Sequence, residues 1–296
     1  MTVLTAEKPR PDALETPSGK GRGDENFPVG SFLIRKDLRP HVHAFYRFAR
    51  NADDIADNPA LSADDKVRRL DRMGEILDGA RVDSPGDDSP AASAMRASLA
   101  VTGTTAQHCH DVLRAFRLDA TKLRYKDWDD LMEYCRYSAS PVGRQLLDLH
   151  GESRDTWPAS DALCSALQVL NHLQDCGDDY RNLDRVYLPL ELMGEAAVTV
   201  EELAAGPASP GMRLVLDRLL DSTDRLIDKA TELPSGVKAR GLRWEAATIV
   251  DLARQLSRRL RRGDPLATRV ALSKIDFAAA LVTGIARGRR PRSINP

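Results

Sequence analysis

Two acidic clusters, Asp53-Asp54-Ile55-Ala56-Asp57 and Asp175-Cys176-Gly177-Asp178-Asp179, each carry several carboxylates without an obvious basic partner. On a helix, Asp53 and Asp57, like Asp175 and Asp179, stand four residues apart on one face, about 6 Å along the axis. Carboxylates at that separation repel by roughly 3 kcal/mol for an effective dielectric near 20. A hard divalent cation turns the repulsion into a binding site, because Mg²⁺ takes one or two carboxylates and fills its remaining positions with water and phosphate oxygens. Two such clusters predict a diphosphate held by Mg²⁺.

Each cluster continues a polar stripe. Successive 100° steps place Tyr46, Arg50, Asp53 and Asp57 within about 60° of one another around a helix axis. Gln168, Asn171, Asp175 and Asp179 form a second stripe on a helix whose other positions are largely apolar. A solvated acidic face would explain a lone D-x-x-x-D, but a polar stripe on a central helix needs partners, since an unsatisfied buried amide or carboxylate costs about 1–3 kcal/mol. The first acidic cluster also falls near the C-terminal end of a helix opened by Pro40, where the helix dipole disfavours negative charge.

The elements that must position these stripes read as helices over roughly 39–57, 62–80, 91–116, 127–150, 159–180, 209–232, 237–262 and 272–287, broken by Pro/Gly/Asp punctuation such as residues 83–90 and 206–211. No segment alternates with period two, no Gly-rich phosphate loop follows a strand, and no repeat of 20–50 residues is present. The expectation is one all-α domain over 27–288, with a disordered lead over 1–26 and a basic tail over 289–296. Helices 159–174 and 240–256 have the widest apolar faces and should be central.

The chain has 296 residues, 42% of them apolar, enough for a sizeable core, and a net charge of −1 that gives no whole-chain field for nucleic acid. The first residues lack the apolar run of a signal peptide and nothing approaches a bilayer-spanning length, so the expected location is cytoplasmic. Cys109, Cys135, Cys164 and Cys176 form no C-x-x-C pair, which argues against structural zinc. The pairs His41/His43 and His108/His110 are two residues apart, a spacing that sends helical side chains to opposite faces.

Arg50 to Asp57, Gln168 to Tyr180 and Arg185-Val186-Tyr187-Leu188-Pro189, together with Tyr134-Cys135-Arg136-Tyr137-Ser138-Ala139-Ser140-Pro141-Val142-Gly143, resemble the squalene/phytoene synthase family. The resemblance implies the isoprenoid-synthase helical bundle around a central cavity, with Mg²⁺ held by Asp53, Asp57, Asp175 and Asp179, and Asp54 and Asp178 nearby. It implies catalytic roles for Tyr134, Tyr137, Gln168 and Asn171, with Tyr134 facing a cationic intermediate, and substrate contacts from Ser31, Tyr46, Arg50 and Arg185.

Two departures stand out. Gln174 occupies a place where the family usually has Arg, and Ser140-Pro141 replaces a small, flexible segment. These, with Glu25-Asn26-Phe27-Pro28-Val29-Gly30-Ser31, look like a bacterial hopanoid-pathway subgroup, in which presqualene diphosphate ionises, rearranges and is captured by water to give hydroxysqualene. That reaction needs no NADPH. Alternatives are head-to-head condensation of two farnesyl diphosphates on the same apparatus, and a catalytically silent partner subunit. The subgroup implies functional coupling to other hopanoid-pathway enzymes, and the basic tail from Arg287 fits a peripheral contact with anionic lipid or plain solvation.

Overall fold

The structure is a computed structural model that describes residues 14–15, 33–80 and 88–288. Helices run in the order α1 (Arg39–Asp57), α2 (Ala63–Asp78), α3 (Pro90–Thr102), α4 (Gln107–Thr121), α5 (Trp128–Ser138), α6 (Ser140–Leu149), α7 (Trp157–Leu183), α8 (Leu190–Glu195), α9 (Pro210–Ala230), α10 (Leu233–Gly236), α11 (Arg240–Arg262) and α12 (Lys274–Gly288). Among the described residues there is no strand, only an isolated bridge between Arg124 and Val186. No described helix is long and apolar enough to cross a membrane.

Local chemistry sets the boundaries. Ser62 caps α2 by accepting from the Asp65 amide, and Gly79 ends it in the left-handed region at φ 73°. Gly103, at φ 68°, ends α3 and divides the expected helix 91–116 into α3 and α4. The apolar spacing runs across this break because both halves pack into the same core, through Ala92 and Met95 on one side and Cys109, Val112 and Leu113 on the other. The expected helix 127–150 likewise divides at Ala139, with Pro141 in the first turn of α6, where its missing N–H costs nothing.

Two apolar cores result. The smaller joins α1 to α4 through Phe45, Phe48, Ile55, Leu70, Met73 and Leu113. The larger is organised around α7 and α11, as their apolar faces predicted, with Leu163, Leu170, Leu173, Leu242, Val250 and Leu256 buried. Arg144 Nε donates to Asp161 at 2.9 Å and ties α6 to α7. A β-carbon on Gly143 would lie 2.7 Å from Cys164 Sγ, so these two helices approach closely only because this position is glycine.

The reading of 1–26 as a disordered lead falls outside the described residues except at Leu14 and Glu15, which make contacts with the bundle. Leu14 is buried in the smaller core, its carbonyl accepts from Arg69, and Glu15 accepts from Ser89 Oγ and the Ala91 amide at the start of α3.

Candidate active site

A cavity of about 360 Å³ lies between α1, α6, α7 and α11, walled by side chains that include Phe45, Tyr46, Leu146, Leu163, Leu167 and Leu242. Along α1 the stripe beginning at Tyr46 and Ala49 in this wall reaches Asp53 and Asp57 one to three turns later. Along α7 the wall residue Leu167 precedes Gln168, Asn171, Asp175 and Asp179 in the same way. Each stripe stays half-buried among buried neighbours, so apolar wall gives way to acidic rim along both helices.

The two acidic groups sense each other. Burial, then Asp175, then Asp57 push the Asp179 carboxyl up to about 8. Burial and then Asp57 push the Asp53 carboxyl well above the ordinary carboxylate range. Among the described residues no three Asp, Glu, His or Cys side chains converge into a ready-made metal cage. A carboxylate pair on each of two helices is still a donor set that suits a hard cation whose shell is completed by water and phosphate oxygens, and its unfavourable ionisation calls for positive charge.

The basic residues beside the clusters differ in their engagement. Arg50 bridges Asp53 and Asp54 within α1, both at 3.0 Å, so the local ion pair is formed. Arg185 is more deeply held: Nη1 meets Asp57 Oδ1 at 2.5 Å, Nη2 donates to the Ala56 carbonyl at 2.9 Å and Nε donates to the Asp119 carbonyl at 3.0 Å. With all its nitrogens bonded to protein, Arg185 acts as a strut joining the end of α1 to α4.

Beside the Arg185 strut lies an aromatic cluster on a buried carboxylate that no motif pointed to. Asp119 accepts from Tyr134 Oη and Tyr187 Oη, each at 2.9 Å, and burial raises its pKa to about 6. The Tyr187 ring stacks on His172 with centroids 3.5 Å apart and faces Tyr125 at 5.4 Å, while Tyr134 leans on both Tyr187 and His172. His172 is buried and shares a 3.0 Å hydrogen bond with Gln168. Burial, with Arg185 nearby, lowers its pKa to about 3 and keeps the ring neutral.

Of the residues expected from sequence, Tyr46 lines the cavity; Arg50 pairs with Asp53 and Asp54, Arg185 joins Asp57, Asp175 and Asp57 act on Asp179, Tyr134 bonds Asp119, and Gln168 bonds His172, with Asn171 on the same stripe of α7. Two the structure does not bring in. Asp178 points outward, 68% exposed and paired with Arg181, because it lies one position, about 100°, away from Asp179 on α7. Tyr137 is covered on the α4 side by the Arg114 guanidinium at 3.9 Å. Ser31 lies outside the described residues.

Asp119, His172 and Tyr187 were missed. Asp119 had one legible signal, since Val112, Ala115 and Asp119 share a face of α4 and a lone carboxylate on an apolar stripe marks a buried partner network. The histidines outside the site behave as structural groups: His41 bonds Ser98, His108 bonds Asp148 and His110 bonds Asp78. The four cysteines are free thiols.

Comparison with known proteins agrees with this architecture. Residues 20–276 match the family model for squalene/phytoene synthase. The chain is 46% identical to a hydroxysqualene synthase of Rhodopseudomonas palustris over 268 residues, 90% of each chain. It is 43% identical to the hydroxysqualene synthase of Zymomonas mobilis, over 93% of this chain and 92% of that one. The crystal structure of squalene synthase HpnC from Alicyclobacillus acidocaldarius superimposes with a TM-score of 0.63 at 30% identity, covering 91% of this chain and 92% of that one. An all-α bundle with two acidic helices at one cavity rim, matched along nearly its whole length, makes this chain an enzyme of the squalene/phytoene synthase family.

Proposed function

We propose that the enzyme converts presqualene diphosphate to hydroxysqualene, releasing diphosphate and taking up water in a Mg²⁺-dependent reaction. The observation that carries this reading is the junction of an apolar cavity with two mutually repelling carboxylate pairs, in a chain 43–46% identical to hydroxysqualene synthases over nine-tenths of its length. Asp53 and Asp57 on one side, and Asp175 and Asp179 on the other, would hold the divalent cations. When bound, these supply positive charge to the departing diphosphate.

The protein's own groups do the rest. Arg50, paired with Asp53 and Asp54, would turn to a diphosphate oxygen once cations occupy those carboxylates. The C30 skeleton occupies the apolar cavity, which excludes bulk water and so lets the cation survive to be captured at one carbon. Neutral His172 adds no positive charge against that cation, and the tyrosine rings beside it offer electron-rich faces. NADPH has no part in this reaction. A product of such hydrophobicity also suits a peripheral contact of the basic tail with anionic lipid and hand-over to a later hopanoid-pathway enzyme.

Purified enzyme given presqualene diphosphate and Mg²⁺ in ¹⁸O-labelled water, without NADPH, should release diphosphate and yield a C30 alcohol carrying one labelled oxygen. Squalene formed only when NADPH is supplied would replace this reading with the reductive one. Presqualene diphosphate made from farnesyl diphosphate, and then left unconverted, would replace it with condensation.

A further inference from the structure

We propose that Asp119 is a positioning residue that fixes how the Tyr134 ring meets the carbocation and sets that ring in register with the metal-binding pair on α1. The proposal rests on the reading above and assigns a residue that the acidic motifs do not contain.

Three observations converge on it. Tyr134 comes from α5 and Tyr187 from the segment after α7, yet their hydroxyls meet on opposite oxygens of one carboxylate, Oδ2 and Oδ1, each at 2.9 Å. Tyr187 has His172 on one side and Tyr125 near it, so it acts as a buttress, while Tyr134 leans against that stack. The main chain of Asp119 is itself fastened, since its carbonyl accepts from Arg185 Nε while the other end of the same guanidinium grips Asp57 and the Ala56 carbonyl.

The physical consequence concerns direction. A phenol can meet a cation with its ring face, which stabilises the charge, or with its oxygen, which can bond to it or take a proton from it. A hydroxyl committed to a buried carboxylate points along that bond, and the charge-assisted bond is about twice as strong as a neutral one. Orientation is therefore fixed, and electron density on the ring is raised by the same bond. Asparagine in this place accepts from only one of the two phenols and presents an N–H₂ to the other, so the carboxylate is required for both bonds at once.

The test is a double-mutant cycle with presqualene diphosphate and Mg²⁺, using Asp119→Asn, Tyr134→Phe and the combination, with Tyr187→Phe as a milder fourth variant. Asp119→Asn should lower kcat at least tenfold with KM changed less than threefold, and should divert part of the product from the alcohol to hydrocarbons formed by proton loss. Adding Tyr134→Phe to it should cost little more, because both changes release the same ring. Calorimetric affinity for inorganic diphosphate with Mg²⁺ should stay within threefold in all four. Unchanged product composition in Asp119→Asn, or additive losses in the cycle, would overturn the proposal. So would a fall in kcat that merely follows the melting temperature. Failure of the wild-type enzyme to form the alcohol would instead remove the proposed function. In that event the proposal stands or falls on near-ultraviolet circular dichroism, which Asp119→Asn should alter without any substrate as the tyrosines reorient.

Discussion

At the scale of single residues, charge decides most outcomes. Asp179 titrates near 8 in the folded chain against an ordinary value of 3.8. For an acid so raised, the folded state holds the extra proton between about pH 4 and 8, so its contribution to stability diminishes as pH climbs through that window. A divalent cation favours the ionised form and displaces that proton. Mg²⁺ should therefore raise the melting temperature more at pH 8 than at pH 5.5, and equal shifts at the two values would contradict the assignment of Asp179 as a ligand. The two arginines should separate as well. Arg185→Ala removes one partner of a buried ion pair and strands two carbonyls, a loss of about 3–5 kcal/mol in denaturant unfolding. Arg50→Ala, which breaks pairs within a single helix, should cost less in unfolding yet weaken calorimetric binding of inorganic diphosphate at least tenfold. The sequence made the motif carboxylates legible because their repulsion is visible in spacing alone. It concealed the difference between Arg50 and Arg185, because the partners of Arg185 lie 66 to 129 residues away along the chain.

At the scale of elements, periodicity located the long helices and failed at their interruptions. Helices α7 and α11 were readable because their apolar faces are continuous, whereas α3/α4 and α5/α6 were read as single helices because an apolar stripe crosses the turn when both halves face one core. The α6/α7 contact supplies a prediction. Gly143→Ala would place a methyl group against Ser160 and Cys164, and relief requires these helices to move apart. Overpacking of this sort costs about 1–3 kcal/mol. Thermal unfolding should show that loss, and because Gly143 also lines the cavity, KM for the C30 substrate should rise while affinity for inorganic diphosphate holds.

For the whole molecule, the site exists because two cores meet imperfectly. The α1–α4 core and the α7/α11 core each close on themselves, and the space between them remains as the cavity. The resemblance implied a central cavity, but its walls were not legible in the sequence, since Leu163 and Leu167 look like any other core positions and only the backbone tells which apolar face meets a void. Filling that space should separate the two halves of recognition. Leu167→Trp should lower turnover of a C30 substrate by at least tenfold and leave Mg²⁺-dependent binding of inorganic diphosphate within threefold, read by calorimetry; a parallel loss of both would mean that the cavity and the acidic rim are not separate.

Gln174 has a consequence for how this chain could have come about. Buried in α7, its amide nitrogen donates to the Val270 carbonyl at 2.6 Å and pins the segment that leads into α12. A lineage drifting toward an arginine here would need a longer, charged side chain in a slot already closed by main chain, so the residue and the segment around Val270 must change together or not at all. Such a lock couples the position to its neighbour, and Gln174→Arg alone should unseat that segment before it alters any chemistry.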